Sequence, residues 1–376
     1  MQAFITSLGA FLPGDACDNE RAAQVLGNVG KQTRARDMIL ARNGIKSRHY
    51  AIDPATRQMT HTNAQLAAEA VRRMDAEAHI DWERLDILAS GTSSPDQVIP
   101  GHAAMVHGEL GSPMCEVLSA AGVCCSSIAA LKFAFNGLLA GTARNAVVTG
   151  SELPSAIFRS ARFGANPEEL PSLDFEQEFL RWMLSDGAGA VLLETKPRPG
   201  KLNLQIDWIE LISCAGQLPT CMYGGAVKRP DGSLRSWHQE ENPEELVSRG
   251  YFNLTQDLKV LMANMIPVAF KQTLQRTLRR RELTADRIDW MLPHISSYLF
   301  EQPIYDTLKE CVLEIPMEKW FTNLAYKGNT GSASMFIILE ELLASGRVKP
   351  GDRIVCAIPE RGRFSFGYMH LTAVAG

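Results

Sequence analysis

Residues 122–140 read GVCCSSIAALKFAFNGLLA, and residues 328–344 read GNTGSASMFIILEELLA. Each is a glycine-led turn running into an apolar helix. Their surroundings match as well. ERLDILAS (83–90) and DRIDWMLP (286–293) both pass from a polar helix end into a buried strand ahead of those turns. RNAVVTGSE (144–152) and DRIVCAIPE (352–360) supply a strand after them. Asp86 and Asp289, Cys124 and Asn329, and Val147 and Ile354 all stand about 205 residues apart, the mark of an internal repeat. The pattern predicts one duplicated α/β fold, with halves at 1–195 and 196–376.

Apolar β-rich runs alternate with helical periodicity throughout, which favours a parallel sheet covered by helices. Helices are expected at 63–74 and across Leu254 to Leu278. The segment from Phe158 to Met183, with Pro167 and Pro171, reads as a lid or partner-facing insertion. Tyr223 to Gly250 is polar and rich in turn residues, and reads as a surface excursion. The 376 residues are 45% hydrophobic with a net charge of −4 and no charged tail, so nothing points to nucleic acid. No uncharged apolar run reaches membrane-spanning length. MQAFITSLGAFLPGD (1–15) reads as a strand and a turn rather than a secretory leader. Eight cysteines show neither disulfide nor metal spacing, and a reducing cytoplasm is the expected location.

Ligands gather at the carboxyl ends of strands in open α/β sheets. A duplication brings two such ends together. Cys124 and Asn329 occupy corresponding turns, and His294 closes the first strand of the second half. A thiol at a helix start gains from partial positive charge there, and its thiolate is the nucleophile. An imidazole and a carboxamide can polarise a thioester carbonyl or stabilise an enolate. Taken singly, Cys124 and Cys125 read equally well as small core-fillers, and His294 and Asn329 as structural residues. The constellation favours chemistry.

The chain resembles ketosynthase III-type enzymes of the thiolase superfamily. ILARNGIKSR (39–48) is similar to that family's early RTGI…R stretch, and SDGAGAVLLE (185–194) to its GDGAGA turn. LPHISS (292–297) resembles its PH motif, GNTGSAS (328–334) its GNTSAAS motif, and PERGRFSFGYMHL (359–371) its GGGFxWG segment. Cys124 lies seven residues before Leu131, as the family's nucleophile does in C-x-G-x-x-x-A-L. The resemblance implies layered αβαβα halves related by a pseudo-dyad. It makes Cys124 the nucleophile, with His294 and Asn329 as its partners and Cys125 in a packing role. It also implies an oxyanion hole from the backbone N–H groups of Cys124 and Gly362, and no metal or cofactor.

Three departures bear on substrate. Met38 stands where initiating enzymes carry a Trp that stacks on coenzyme A. Leu299 and its neighbours replace a basic contact, and Arg361-Gly-Arg-Phe replaces Gly-Gly-Gly-Phe. The chain is closer to ketosynthase/cyclases that make dialkylresorcinol or cyclohexanedione precursors, in LPGDACDNERAAQVLG (12–27), GTSSPDQVIPGHAAMVHGELG (91–111) and IPERGRFSFGYM (358–369). That likeness implies condensation of a β-ketoacyl thioester with an α,β-unsaturated acyl thioester, followed by ring closure. The ring closure needs a wall, expected from the loop containing Phe158, Phe163 and Phe175, or from its dimer mate. Glu152 reads either as an added base or as a strand-end carboxylate accepting N–H bonds. Lys271, Arg276, Arg279, Arg280 and Arg281 read either as a dock for an acidic acyl carrier protein or as a solvated face. A homodimer through the first half is implied. A single decarboxylative condensation, acyl transfer to an alcohol or amine, and an inactive partner subunit are the alternatives; an intact Cys, His and Asn set disfavours the last.

Overall fold

Strands apolar at nearly every position are strands covered on both faces. The computed structural model, which describes residues 1–31, 34–163, 167, 173 and 175–376, shows what covers them. In chain order the strands are β1 (Phe4–Phe11), β2 (Ile87–Thr92), β3 (Glu116–Ala121), β4 (Asn145–Glu152), β5 (Gly187–Glu194) and β6 (Leu202–Ser213). Four short strands follow: β7 (Met222–Tyr223), β8 (Ala226–Lys228), β9 (Leu234–Ser236) and β10 (Thr255–Gln256). The last are β11 (Trp290–Pro293), β12 (Arg353–Glu360) and β13 (Ser365–Ala375). Outside the four short ones, all join in one sheet of order β11-β12-β13-β6-β1-β5-β4-β2-β3.

Read outward from its middle, this sheet runs β1-β5-β4-β2 one way and β6-β13-β12-β11 the other. β5 is antiparallel to β1 and β4, and β4 is parallel to β2. Likewise β13 is antiparallel to β6 and β12, and β12 is parallel to β11. Where β3 flanks β2, a single parallel bridge from Met291 to Trp320 flanks β11. Even a loop contact recurs: Asp86 accepts from the Arg144 N–H at 2.7 Å, and Asp289 from the Arg353 N–H at 2.9 Å. The two series join only through Phe4–Gln205 and Ile5–Leu204.

Alternation along each strand sorts the core into layers. Ile87, Ala89, Ala146, Val148, Ile354, Cys356 and Ile358 share one cluster with Ile128, Leu131, Phe336 and Leu339. The helices Ser126–Ala140 and Ser334–Ala344 therefore form a middle layer. Leu88, Val147 and Leu192 face the opposite way, onto helix Asn63–Ala78, which starts in a capping box at Thr62. Val355, Ala357 and Tyr368 face Phe270, Leu274, Ile304 and Leu308 on the far side. Each fully buried Leu or Phe contributes about 1.5–3 kcal/mol of transfer free energy.

Glycine lets the middle layer close. A Cβ on Gly91 in β2 would lie 2.3 Å from the backbone of Ser126 and Ser127, and one on Gly150 in β4 would lie 2.6 Å from the Ser332 carbonyl. Between these glycines, the two helix starts meet. The Ser127 hydroxyl donates to the Ser332 carbonyl at 2.6 Å, joining equivalent positions of the two turns.

The helix expected over Leu254 to Leu278 differs from that reading. It begins at Leu258, where the Asp257 carboxylate caps the Val260 N–H. It then passes through a π turn at Met265–Phe270, around Pro267, before continuing as Lys271–Arg280. Pro267 has no N–H to donate, and the wider turn accommodates its ring. The expected lid from Phe158 to Met183 falls partly outside the described residues, Pro171 included.

Candidate active site

Cys124 sits in the turn before helix Ser126–Ala140 and lines a cavity of about 730 Å³. Cys125 does not line it. Its thiol turns inward and donates to the Ile358 carbonyl at 3.2 Å. The two adjacent thiols thus differ in access. Both are buried, and burial is the first influence on each. Cys124 is pushed up to about 12, with the Arg361 charge pulling the other way. Desolvation thus works against the partial positive charge of the helix end.

Asn329 lines the same cavity from the equivalent turn. Its Oδ1 accepts from the Gly331 N–H at 3.0 Å, and its backbone bonds Met183 and Ser185. Its Nδ2 has no partner among the described residues. His294 follows β11 and is not part of the lining. It is 3% exposed, and its Nε2 is buried without a hydrogen-bond partner. Burial, and then the Arg361 charge, lower it to about 3, so the imidazole is neutral. Arg361 is the charge that bears on both Cys124 and His294.

Arg361 and Gly362 belong to the tight connection between β12 and β13, which register at Glu360–Ser365. Phe364 turns this loop with a φ of 57° and is fully buried. A Cβ on Gly362 would lie 3.1 Å from Val123, so the loop packs directly on the cysteine turn. The Gly362 carbonyl accepts from the N–H groups of Cys221 and Met222. The backbone N–H groups of Gly362 and Cys124 make no hydrogen bond to another described residue.

Glu152 ends β4 and also lines the cavity. Its carboxylate accepts from the Ser93 N–H at 3.0 Å, the Ser93 and Ser94 hydroxyls at 2.6 and 2.7 Å, and the Ser332 N–H at 3.4 Å. Burial raises its pKa, against those donors.

The basic helix is partly engaged. Lys271 pairs with Glu310 at 2.9 Å, while Arg280 and Arg281 reach buried Glu210 at 3.6 and 2.8 Å. Arg276 and Arg279 are exposed without an ion pair among the described residues. Met38 is 41% exposed on helix Arg34–Arg42.

The loop that holds Phe158 and Phe163 lines the cavity through Ile157, Arg159 and Arg162, and Leu180 and Met183 continue that wall, whereas Phe158, Phe163 and Phe175 themselves do not line it. Phe158 is buried, and Phe175 is 42% exposed. The excursion from Tyr223 to Gly250 is half-buried to exposed throughout and meets the cavity only at its start, through Tyr223, Gly224 and Gly225. Met222, Leu254 and Gln256, just outside it, also line the cavity, with β7 and β10 paired antiparallel. Sequence reasoning also missed Gln256, Ser296 and the inward course of Arg361. Among the described residues no group of three or more His, Cys, Asp or Glu side chains is placed to hold a metal ion, and no helix is long and apolar enough to cross a membrane.

Residues 278–358 match the family described as 3-oxoacyl-[acyl-carrier-protein (ACP)] synthase III C terminal. Beta-ketoacyl-[acyl-carrier-protein] synthase III of Neisseria gonorrhoeae is 27% identical over 358 residues, covering 94% of either chain. Among solved structures, AbyA1, a tetronic acid condensing enzyme, aligns with a TM-score of 0.76 at 23% identity, covering 98% of this chain and 99% of that one. OleA of Xanthomonas campestris aligns at 0.75 and 19% identity, covering 99% and 98%. The chain thus has the expected thiolase-like α/β fold. By this likeness it is an enzyme of the acyltransferase type that forms carbon–carbon bonds.

Proposed function

We propose that this ketosynthase III-like enzyme is a ketosynthase/cyclase joining a β-ketoacyl thioester to an α,β-unsaturated acyl thioester. Cys124 exchanges its thiol proton for the β-ketoacyl group, and the carrier leaves as free thiol. Cys124 must lose its proton to attack, and the departing carrier thiolate takes one up, so the exchange balances thiol for thiol. The thioester oxygen rests on the N–H groups of Cys124 and Gly362.

Glu152 takes the proton from C2 of the bound chain. Two of its four donors are hydroxyls, which can turn from donating to accepting when the carboxylate gains a proton. Neutral His294 and the Asn329 amide hold the carbonyl of the enoyl thioester. The C2 carbanion adds to the enoyl C3. A second bond, from C4 of the β-keto chain to the enoyl C1, expels the second carrier thiol and closes a six-membered ring. Hydrolysis from Cys124 and loss of CO2 release a dialkyl cyclohexanedione, for a separate enzyme to aromatise.

The observation carrying this reading is the cavity itself. It is apolar enough and roomy enough for acyl chains, it holds Cys124, Asn329 and Glu152 together, and its wall carries Arg361 where the family pattern has glycine. The repeated strand order supports two halves at 1–195 and 196–376. A homodimer through the first half is supported by β3, an edge strand, with Val98, Ile99 and Met114 exposed beside it. Exposed Arg276 and Arg279 fit an acidic carrier protein.

The test supplies a β-ketoacyl and an enoyl carrier thioester with no malonyl donor. A dialkyl cyclohexanedione is expected. Turnover only with malonyl thioester, giving a linear β-ketoacyl product, establishes instead a single decarboxylative condensation, the reading that the synthase III relatives favour.

A further inference from the structure

The cavity lining includes polar groups that the described residues leave with few or no partners. Arg361 is buried, lines the cavity, and has no hydrogen bond or ion pair among the described residues. The Phe300 ring packs on it, with the guanidinium carbon 4.5 Å from the centroid. Gln256 on β10 is fully buried, and its Oε1 and Nε2 meet no partner among the described residues beyond the weak Cys221 thiol beside it. The Ser296 hydroxyl is likewise buried and unbonded. All three line the cavity that Cys124 and Asn329 line. Buried polar groups left unmade are costly, and native proteins rarely keep several in one place without a use.

We infer that Arg361, Gln256 and Ser296 form a subsite that reads the C3 oxygen of the chain on Cys124, so that the enzyme selects acyl groups carrying a β-keto oxygen. The inference rests on the β-ketoacyl reading above. Arg361 immediately precedes Gly362, to whose N–H the reading above assigns the C1 oxygen. A C3 oxygen lies two carbons further along the same chain, where the next residue of the loop is at hand. A guanidinium offers only donors, and it fits an oxygen that is a carbonyl in the resting chain and gains negative charge once C2 loses its proton. Burial lowers Arg361 to about 10, which leaves the guanidinium charged near neutral pH, and no carboxylate pairs with it among the described residues. Gln256 and Ser296 can each donate or accept, which suits the keto and enolate forms alike.

Acylation of Cys124 tests this without any ring being formed. Intact-protein mass spectrometry would follow wild type, Arg361→Gln, Arg361→Lys, Gln256→Leu and Ser296→Ala with 3-oxoacyl, saturated and malonyl thioesters. Wild type should favour the 3-oxoacyl chain over the saturated chain of equal length. Arg361→Gln should lose about 10–100-fold in rate with the 3-oxoacyl chain, as expected for a lost charged hydrogen bond, and change less than about threefold with the saturated one. Arg361→Lys should recover part of the loss. Gln256→Leu and Ser296→Ala leave the cation in place and should each erode the same preference; they carry the test if the arginine variants fail to fold. Equal losses with both chains would overturn the proposal, as would losses confined to the malonyl thioester, which would make Arg361 a carboxylate reader. A cyclase assay that yields no ring while the 3-oxoacyl preference stands would count against ring formation alone.

Discussion

Replacing Gly91 by alanine should disable the enzyme without touching any group that meets substrate. A Cβ there would lie 2.3 Å from the Ser126 carbonyl carbon and the Ser127 nitrogen, and 2.5 Å from the Ser126 oxygen. Ordinary contact begins near 3.4 Å, so the helix start must retreat by about 1 Å. What yields is backbone, not the end of a flexible side chain, which puts the cost near or above the upper end of the usual ~1–3 kcal/mol for overpacking. Cys124 stands two residues ahead of Ser126 and moves with it. A displacement of ~1 Å at a reacting atom costs on the order of 100-fold in rate. The assay is a time course of Cys124 acylation by mass spectrometry beside a urea melt. Gly137→Ala, later in the same helix, is the control: its Cβ meets the flexible tip of Ile87 at 3.1 Å and makes ordinary contacts with Thr142 and Ala143 at 3.6 and 3.8 Å. It should acylate normally, with stability held or raised by about 0.5–1 kcal/mol of helix propensity. Acylation of Gly91→Ala within threefold of wild type, at unchanged stability, would refute the reasoning.

Cys124→Ala should abolish product and Cys125→Ser should retain most of it; an acyl group mapped to Cys125 would reverse the assignment. Because burial raises the Cys124 thiol to about 12, its alkylation by a neutral reagent should climb about tenfold per pH unit from pH 7 to 10 without levelling. A plateau near pH 8 at that peptide would contradict the buried, neutral thiol. His294→Ala and Asn329→Ala should still accept an acyl group but stall before bond formation, so product at near wild-type rate from either variant would show the site to be wrongly drawn. Carrier-protein thioesters should be used better than coenzyme A thioesters, and Arg276→Ala and Arg279→Ala should each cost about 0.2–1 kcal/mol in kcat/KM, less at high salt; a loss that salt leaves unchanged would argue against docking by charge.

The sheet was legible because its signals are local and occur twice. Buried strands such as Ile87–Thr92 and Arg353–Glu360 announce themselves by apolar runs, and the turns at Gly122 and Gly328 mark where helices begin. The cavity walls were legible only in part. Tyr223 to Gly250 carries the glycine, proline and charge of the surface loop it is, but the residues flanking it, Met222 and Gln256, pair across more than thirty residues and reach the cavity, which no local signal announces. The loop around Phe158 was legible as a wall, yet which of its side chains face the cavity depends on packing that hydrophobic size does not reveal. The setting of the thiol was not legible either: helix-end charge can be read from sequence, whereas desolvation depends on everything packed around the sulfur. Arg280 and Arg281 looked free because their partner, Glu210, lies on another strand.

The strand order also sets a timetable for the nascent chain. β1 takes β5 and β6 as its two neighbours, and neither exists until some 175 residues after β1 has been made. At 5–20 residues per second, translation leaves it waiting roughly 10–35 s. Helix Asn63–Ala78 arrives much sooner and can cover one face, since Gly9 of β1 is built to sit against Ala70 and Met74. The backbone edges stay open for the whole interval, and β6 faces a comparable wait for β13. During synthesis it is those edges, rather than any exposed apolar face, that must be kept from pairing with the chain emerging from a neighbouring ribosome.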